Sequence, residues 1–99
     1  DDLWKQAGDA RALAGAVLRV RQPGDVMRPL GAPGTRLLSD VMTDKKIDRP
    51  LRDYWPLVAL GNRILWMPGA CLSQEAALTN DTKAATLLRW ERMEFHHGA

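Results

Sequence analysis

The chain has 99 residues, 45% hydrophobic and 26% charged, which excludes a disordered tail and bounds it at one domain with room for one real core. No apolar run approaches the roughly 20 residues that a membrane span needs, and the opening Asp1-Asp2 carries no signal-peptide pattern. The net charge of +2 is unevenly placed: residues 19–63 hold nine of the fourteen basic residues against five acids, a pattern that composition reads first as a solvated face of interspersed charges and second as a patch able to steer a polyanion.

In chain order, the first legible element is a strand over 13–21. Leu18 and Val20 alternate there with Val17, Arg19 and Arg21, the pattern of a half-buried strand with a basic outer face. Pro23-Gly24 ends it, and "GDVMRPLGAPG" then strings glycine and proline around Arg28. Leu37, Leu38, Val41 and Met42 share one helical face and predict a helix over 35–46. Thr35 serves as its N-cap and Lys45-Lys46 lie where the macrodipole favours cations. A second short helix is expected from Asp48-Arg49-Pro50 and is stopped by Trp55-Pro56. Residues 57–60 and 63–67 read as a hairpin about Gly61-Asn62. Residues 73–85 read as a loop or weak strand, 86–93 as a final strand, and the tail from Glu94 as frayed.

These elements predict a small single α+β domain over 1–99: a mostly antiparallel sheet with two short helices inserted after the first strand. Leu18, Val20, Leu37, Val41, Leu57, Val58, Leu65 and Leu88 are expected in one core, with Trp66 and Trp90 on core faces of their strands.

The glycine–proline stretch admits two readings. It is a tight strand-to-helix connection, or Gly31, Gly34 and Thr35 form an anion cradle at the start of a helix. It is not a nucleotide P-loop, because no Gly-Lys pair exists in the chain. His96 and His97 are adjacent, cannot point the same way and have no cysteine nearby, so no metal site is assigned. Cys71 reads as a small buried hydrophobe; as the only cysteine it excludes an internal disulfide and fits a reducing, cytoplasmic location. Asp40 and Asp44 read as solvated partners of nearby lysines. No acid–base or nucleophile set is legible, so no catalytic residue is assigned. The missing initiator Met suggests a fragment of something longer.

The stretch "RQPGDVMRPLGAPGTRLLSDVMTDKKIDRPLRDYWPLVALGNRILWMPG", with the closing "LLRWER", resembles the C-terminal domain of bacterial tRNA(Ile)-lysidine synthases over residues 17–93. The likeness rests on Pro23-Gly24-Asp25, Arg28-Pro29-Leu30-Gly31, Lys46, Leu51-Arg52-Asp53 and the hairpin ending in Trp66, Pro68 and Gly69. It implies an intact enzyme that uses ATP to ligate lysine to the wobble cytidine of isoleucine tRNA. ATP and magnesium would be held by an N-terminal catalytic domain whose S-G-G-x-D-S loop is absent from these residues, so no cofactor is expected here. The partners implied are isoleucine tRNA, gripped around its acceptor stem and body, and that catalytic domain of the same protein. The resemblance favours the cradle: Arg28, Gly34, Thr35 and Arg36 would meet one phosphate at the helix start, and Lys45, Lys46, Arg49 and Arg52 would continue the track. Val26, Leu38 and Asp48 depart from the family pattern, each in a way that removes positive charge or alters a turn. The alternative is a non-catalytic interaction or structural module that buttresses a neighbouring domain or a dimer, which an apolar exposed face would favour.

Overall fold

The computed structural model describes residues 2–91. Strand β1 (Lys5–Asp9) pairs antiparallel with the last strand, β8 (Ala85–Arg89), from Lys5 opposite Arg89 to Asp9 opposite Ala85. A second, six-stranded sheet runs in the spatial order β2 (Val17–Arg19), β5 (Leu57–Leu60), β6 (Arg63–Met67), β3 (Val26–Met27), β4 (Arg36–Leu37), with β7 (Cys71–Leu72) also on β6. Its ladders are antiparallel except at Val26 opposite Arg63, where β3 meets β6. Helix α1 (Ala10–Leu13) follows β1, and α2 (Leu38–Asp44) follows β4. Two 3-10 helices, Arg49–Tyr54 and Gln74–Ala76, complete the set. This is the expected α+β architecture.

Local chemistry sets the element ends. Asp9 caps α1: its carboxylate accepts the N–H groups of Arg11 at 2.8 Å and Ala12 at 3.2 Å. The other oxygen accepts from the Thr82 hydroxyl at 2.8 Å, tying the helix start to the turn before β8. That hydroxyl first, and the Ala12 N–H after it, hold the Asp9 carboxyl below the usual carboxylate range.

The β5–β6 hairpin separates two cores. Leu57 and Ala59 face a cluster built on α2 with Leu38, Val41 and Met42, while Val58 and Leu60 face a second cluster with Leu13, Trp66 and Ala76. In β6 the alternation breaks. Val58 lies opposite Trp66 and Ala59 opposite Ile64, so Leu65 is an extra residue, and Leu65 and Trp66 both join the second cluster.

Several expectations are corrected here. The helix predicted over 35–46 begins at Leu38, because Arg36 and Leu37 pair with Met27 and Val26 as strand. Leu37, not Thr35, occupies the N-cap, and the Leu38 N–H donates to the Asp25 carbonyl at 2.9 Å. Leu18, Val20 and Leu37 are exposed rather than core, since β2 and β4 are the edges of the sheet. Leu88 packs with the second cluster, and Trp90 is exposed. Val41, Leu57, Leu65, Trp66 and Cys71 are buried as expected, and Val58 is half-buried. Asp44 pairs with Arg36, not with a lysine. His96 and His97 lie outside the described residues.

Candidate nucleic-acid interface

The loop around Arg28 is a laced connection. The Gln74 N–H donates to the Arg28 carbonyl at 2.8 Å, the Leu30 N–H to the Leu72 carbonyl at 2.9 Å, and the Gly31 N–H to the Gln74 side chain at 3.1 Å. Those amides are therefore spent on β7 and its 3-10 helix. Arg28 itself is exposed, with a long 3.4 Å contact from Nε to the Ala32 carbonyl.

The expected cradle does not assemble at a helix start. Gly34 and Thr35 precede β4 rather than α2, and Arg36 points along the helix to the Asp44 carboxylate at its far end. The N-terminus of α2 opens instead on a groove lined by Arg21, Asp25, Leu37 and Asp53. Two carboxylates there oppose an anion, and Arg21 is engaged by Asp53 at 2.7 Å. Of the two readings of the glycine–proline stretch, the tight connection is the one the chain adopts.

Cations gather instead at the C-terminus of α2. The helix ends in a Schellman turn: the Ile47 N–H donates to the Met42 carbonyl at 3.0 Å and the Lys46 N–H to the Thr43 carbonyl at 3.1 Å. Lys46 occupies the left-handed position with φ 58°, where glycine is usual. Ile47, the next residue, packs with Met42 in the α2 core. Arg52 closes the turn, its Nε donating to the Ile47 carbonyl at 2.8 Å and its guanidinium to the Thr43 hydroxyl at 3.1 Å. Lys45, Lys46 and Arg49 are thus presented by a turn that Arg52 braces, and all three are exposed.

Ion pairing sorts the basic residues further. Arg19, Arg21, Arg36 and Arg63 pair with Asp25, Asp53, Asp44 and Glu75. Among the described residues, Arg28, Lys45, Lys46, Arg49 and Arg52 form no ion pair. Lys45 also lines a groove with Leu30, Cys71, Asp2 and the β1 residues Lys5 and Gln6. Sequence reading missed Lys5 because residues 5–9 belong to no motif and β1 shows no clear alternation. Burial pushes the Cys71 thiol up, so it stays protonated near neutrality. Among the described residues no group of three or more His, Cys, Asp or Glu could hold a metal, and no helix is long and apolar enough to cross a membrane.

Comparison with known proteins converges on one family. The family model for the TilS substrate C-terminal domain matches residues 16–90. The chain is 36% identical over 76 residues to a tRNA(Ile)-lysidine synthase of Caldanaerobacter subterraneus subsp. tengcongensis, covering 77% of this chain and 16% of that protein. It is 31% identical over 93 residues to one from Clostridium perfringens, covering 94% and 20%. A crystal structure of a TilS C-terminal domain matches with a TM-score of 0.69 at 31% identity, over 88% of this chain and 68% of the other. The chain thus spans a fifth or less of the length of these two synthases.

Proposed function

Because the chain belongs to the TilS substrate C-terminal domain family, we propose that it is the tRNA-gripping domain of a tRNA(Ile)-lysidine synthase. In this reading it binds the acceptor stem and body of isoleucine tRNA through phosphates, and ATP, magnesium and the ligation of lysine to cytidine belong to an N-terminal catalytic domain. The chain alone then neither turns over ATP nor forms lysidine. The enzyme works in the cytoplasm, where its tRNA substrate resides.

The observation that carries the reading is the set of cations around the end of α2 that form no ion pair among the described residues: Lys45, Lys46 and Arg49 at one braced turn, with Arg28 in the loop before Leu30. Duplex RNA is held chiefly through phosphate and 2′-hydroxyl contacts, which call for mobile cations on a rigid support rather than a catalytic set. Arg28, Lys45, Lys46 and Arg49 are the leading contacts. Arg36 reaches RNA only by giving up Asp44, and Arg52 holds the turn.

The test is a titration of isoleucine tRNA with the 99-residue chain and with its Lys45→Ala, Arg49→Ala double variant. Both side chains are exposed, so folding is retained, and affinity should fall by about tenfold or more, each charge-assisted contact being worth roughly 1 kcal/mol or above. Unchanged affinity would remove the basis of the reading.

A further inference from the structure

The β2 edge of the six-stranded sheet is unguarded. Among the described residues β2 pairs with β5 alone, and Val17, Leu18 and Val20 are 54%, 60% and 47% exposed. Successive side chains of a strand point to opposite faces, so apolar surface is open on both faces of this edge. That suits a strand added in the plane of the sheet, not an element laid over one face. Tyr54, 81% exposed, prolongs the surface. Arg19 lies opposite Leu57, so the chain after β2 runs beside residues 54–56, and the Arg21–Asp53 ion pair fixes it there. Edges in monomers are ordinarily protected by outward lysines, prolines or bulges. The one charged residue of 17–20 is Arg19, and its guanidinium is turned onto Asp25, the Gly61 carbonyl and the neighbouring Val20 carbonyl.

We propose that this edge pairs with the same edge of a second copy of the chain. Charge selects the occupant. Both arginines at the edge are neutralised internally, by Asp25 and Asp53, so it offers nothing to a polyanion or an acidic peptide. Its partner must be an apolar, near-neutral strand, and β2 itself meets that description. Antiparallel pairing about a two-fold axis at Leu18 sets Leu18 against Leu18, Val20 against Ala16 and Val17 against Arg19, whose charge is held on Asp25. Such an isologous contact closes at two copies. A net charge of +2 per chain adds little repulsion. An interface of three or four side chains and one backbone ladder is small, so the dimer is a reversible one. This surface is separate from the cations at the end of α2, and its test does not depend on them.

The experiment is analytical ultracentrifugation of the 99-residue chain from about 10 µM to about 1 mM, the range in which a small interface populates its dimer, with hydrogen exchange at both ends of the range. The expected result is a mean mass rising from one chain toward two, with the amides of 17–20 gaining protection as concentration rises. Leu18→Lys should hold the mass at one chain throughout. Leu87→Lys, at a side chain 67% exposed on β8, should associate as the unaltered chain does. A mass that stays at one chain to about 1 mM, or Leu18→Lys associating normally, would overturn the proposal. So would protection of 17–20 that arises only in a longer synthase chain and not with concentration, which would assign the edge to an intramolecular neighbour.

Discussion

Asp25 shows how a single side chain can settle what a motif is for. Its carboxylate takes a two-pronged hydrogen bond from Arg19 at 2.8 and 2.9 Å and a third from the Gln22 N–H at 2.8 Å, while its carbonyl receives the first N–H of α2. Pro23 and Gly24 make the reversal that returns Asp25 to Arg19. Alternation along 17–21 rightly marks a strand but assigns Arg19 to an outer basic face, because nothing local to that strand reveals a carboxylate delivered by a later turn. Removing Asp25 leaves a largely buried guanidinium uncompensated and a turn unpinned, so Asp25→Ala should cost about 2–4 kcal/mol in urea unfolding. Burial pushes this carboxyl up, yet Arg19 first and the Gln22 N–H after it outweigh burial and leave it below the ordinary range. Its stabilising contribution is therefore complete above the unfolded value of about 3.9 and lost as pH falls through the lower folded value. Urea midpoints measured from pH 7 to 2 should decline only on the acid side, and Asp25→Ala should decline less steeply. Lys46 separates stability from binding. A lysine in the left-handed position carries a steric cost that glycine does not, so Lys46→Gly should keep or raise stability by up to about 1 kcal/mol while weakening tRNA binding. Loss of both together would make Lys46 structural.

Among the elements, β1 is held to the rest by an aromatic clamp rather than by a strong strand pattern. Trp4 lies 6.0 Å from Trp55, centroid to centroid, and Trp55 donates its indole N–H to the Pro68 carbonyl at 2.9 Å. The Gly69 N–H donates to the Leu3 carbonyl at 2.9 Å. A Cβ on Gly69 would clash with the Trp4 ring, and Gly69 has φ 75°, so this position excludes any side chain twice over. Gly69→Ala should displace β1, cost about 2–4 kcal/mol in thermal unfolding and alter the tryptophan near-ultraviolet dichroism. An unchanged spectrum and melting temperature would refute the clamp. The β5–β6 hairpin was legible because two alternating runs flank Gly61-Asn62, and both strands fall where the pattern places them. The start of α2 was not. Leu37 extends the apolar helical face by coincidence of spacing, and strands of two residues such as β3, β4 and β7 are too short to show any period. The second core was invisible for a related reason: it needs Leu13 of the four-residue α1 and the bulge at Leu65, and neither has a local signal.

At the scale of the molecule, ion pairing decides which cations are left free. Four arginines of residues 19–63 are consumed by internal ion pairs, so the basic excess of the middle region reduces to the cations at the end of α2 and the loop at Arg28. Composition located that region, but the pairing that subtracts Arg19, Arg21, Arg36 and Arg63 from it is a property of the fold. The most direct test of the central claim, that this surface grips tRNA by its phosphates, is the affinity of the chain for isoleucine tRNA across a series of salt concentrations. With about four phosphates neutralised, the logarithm of the binding constant should fall with the logarithm of salt at a slope near −3 to −4. Arg28→Ala and Lys46→Gly should each make the slope shallower by about one unit, while Arg63→Ala, whose side chain is held by Glu75, should leave it unchanged. A slope near zero, or one that Arg28→Ala and Lys46→Gly do not alter, would contradict the account.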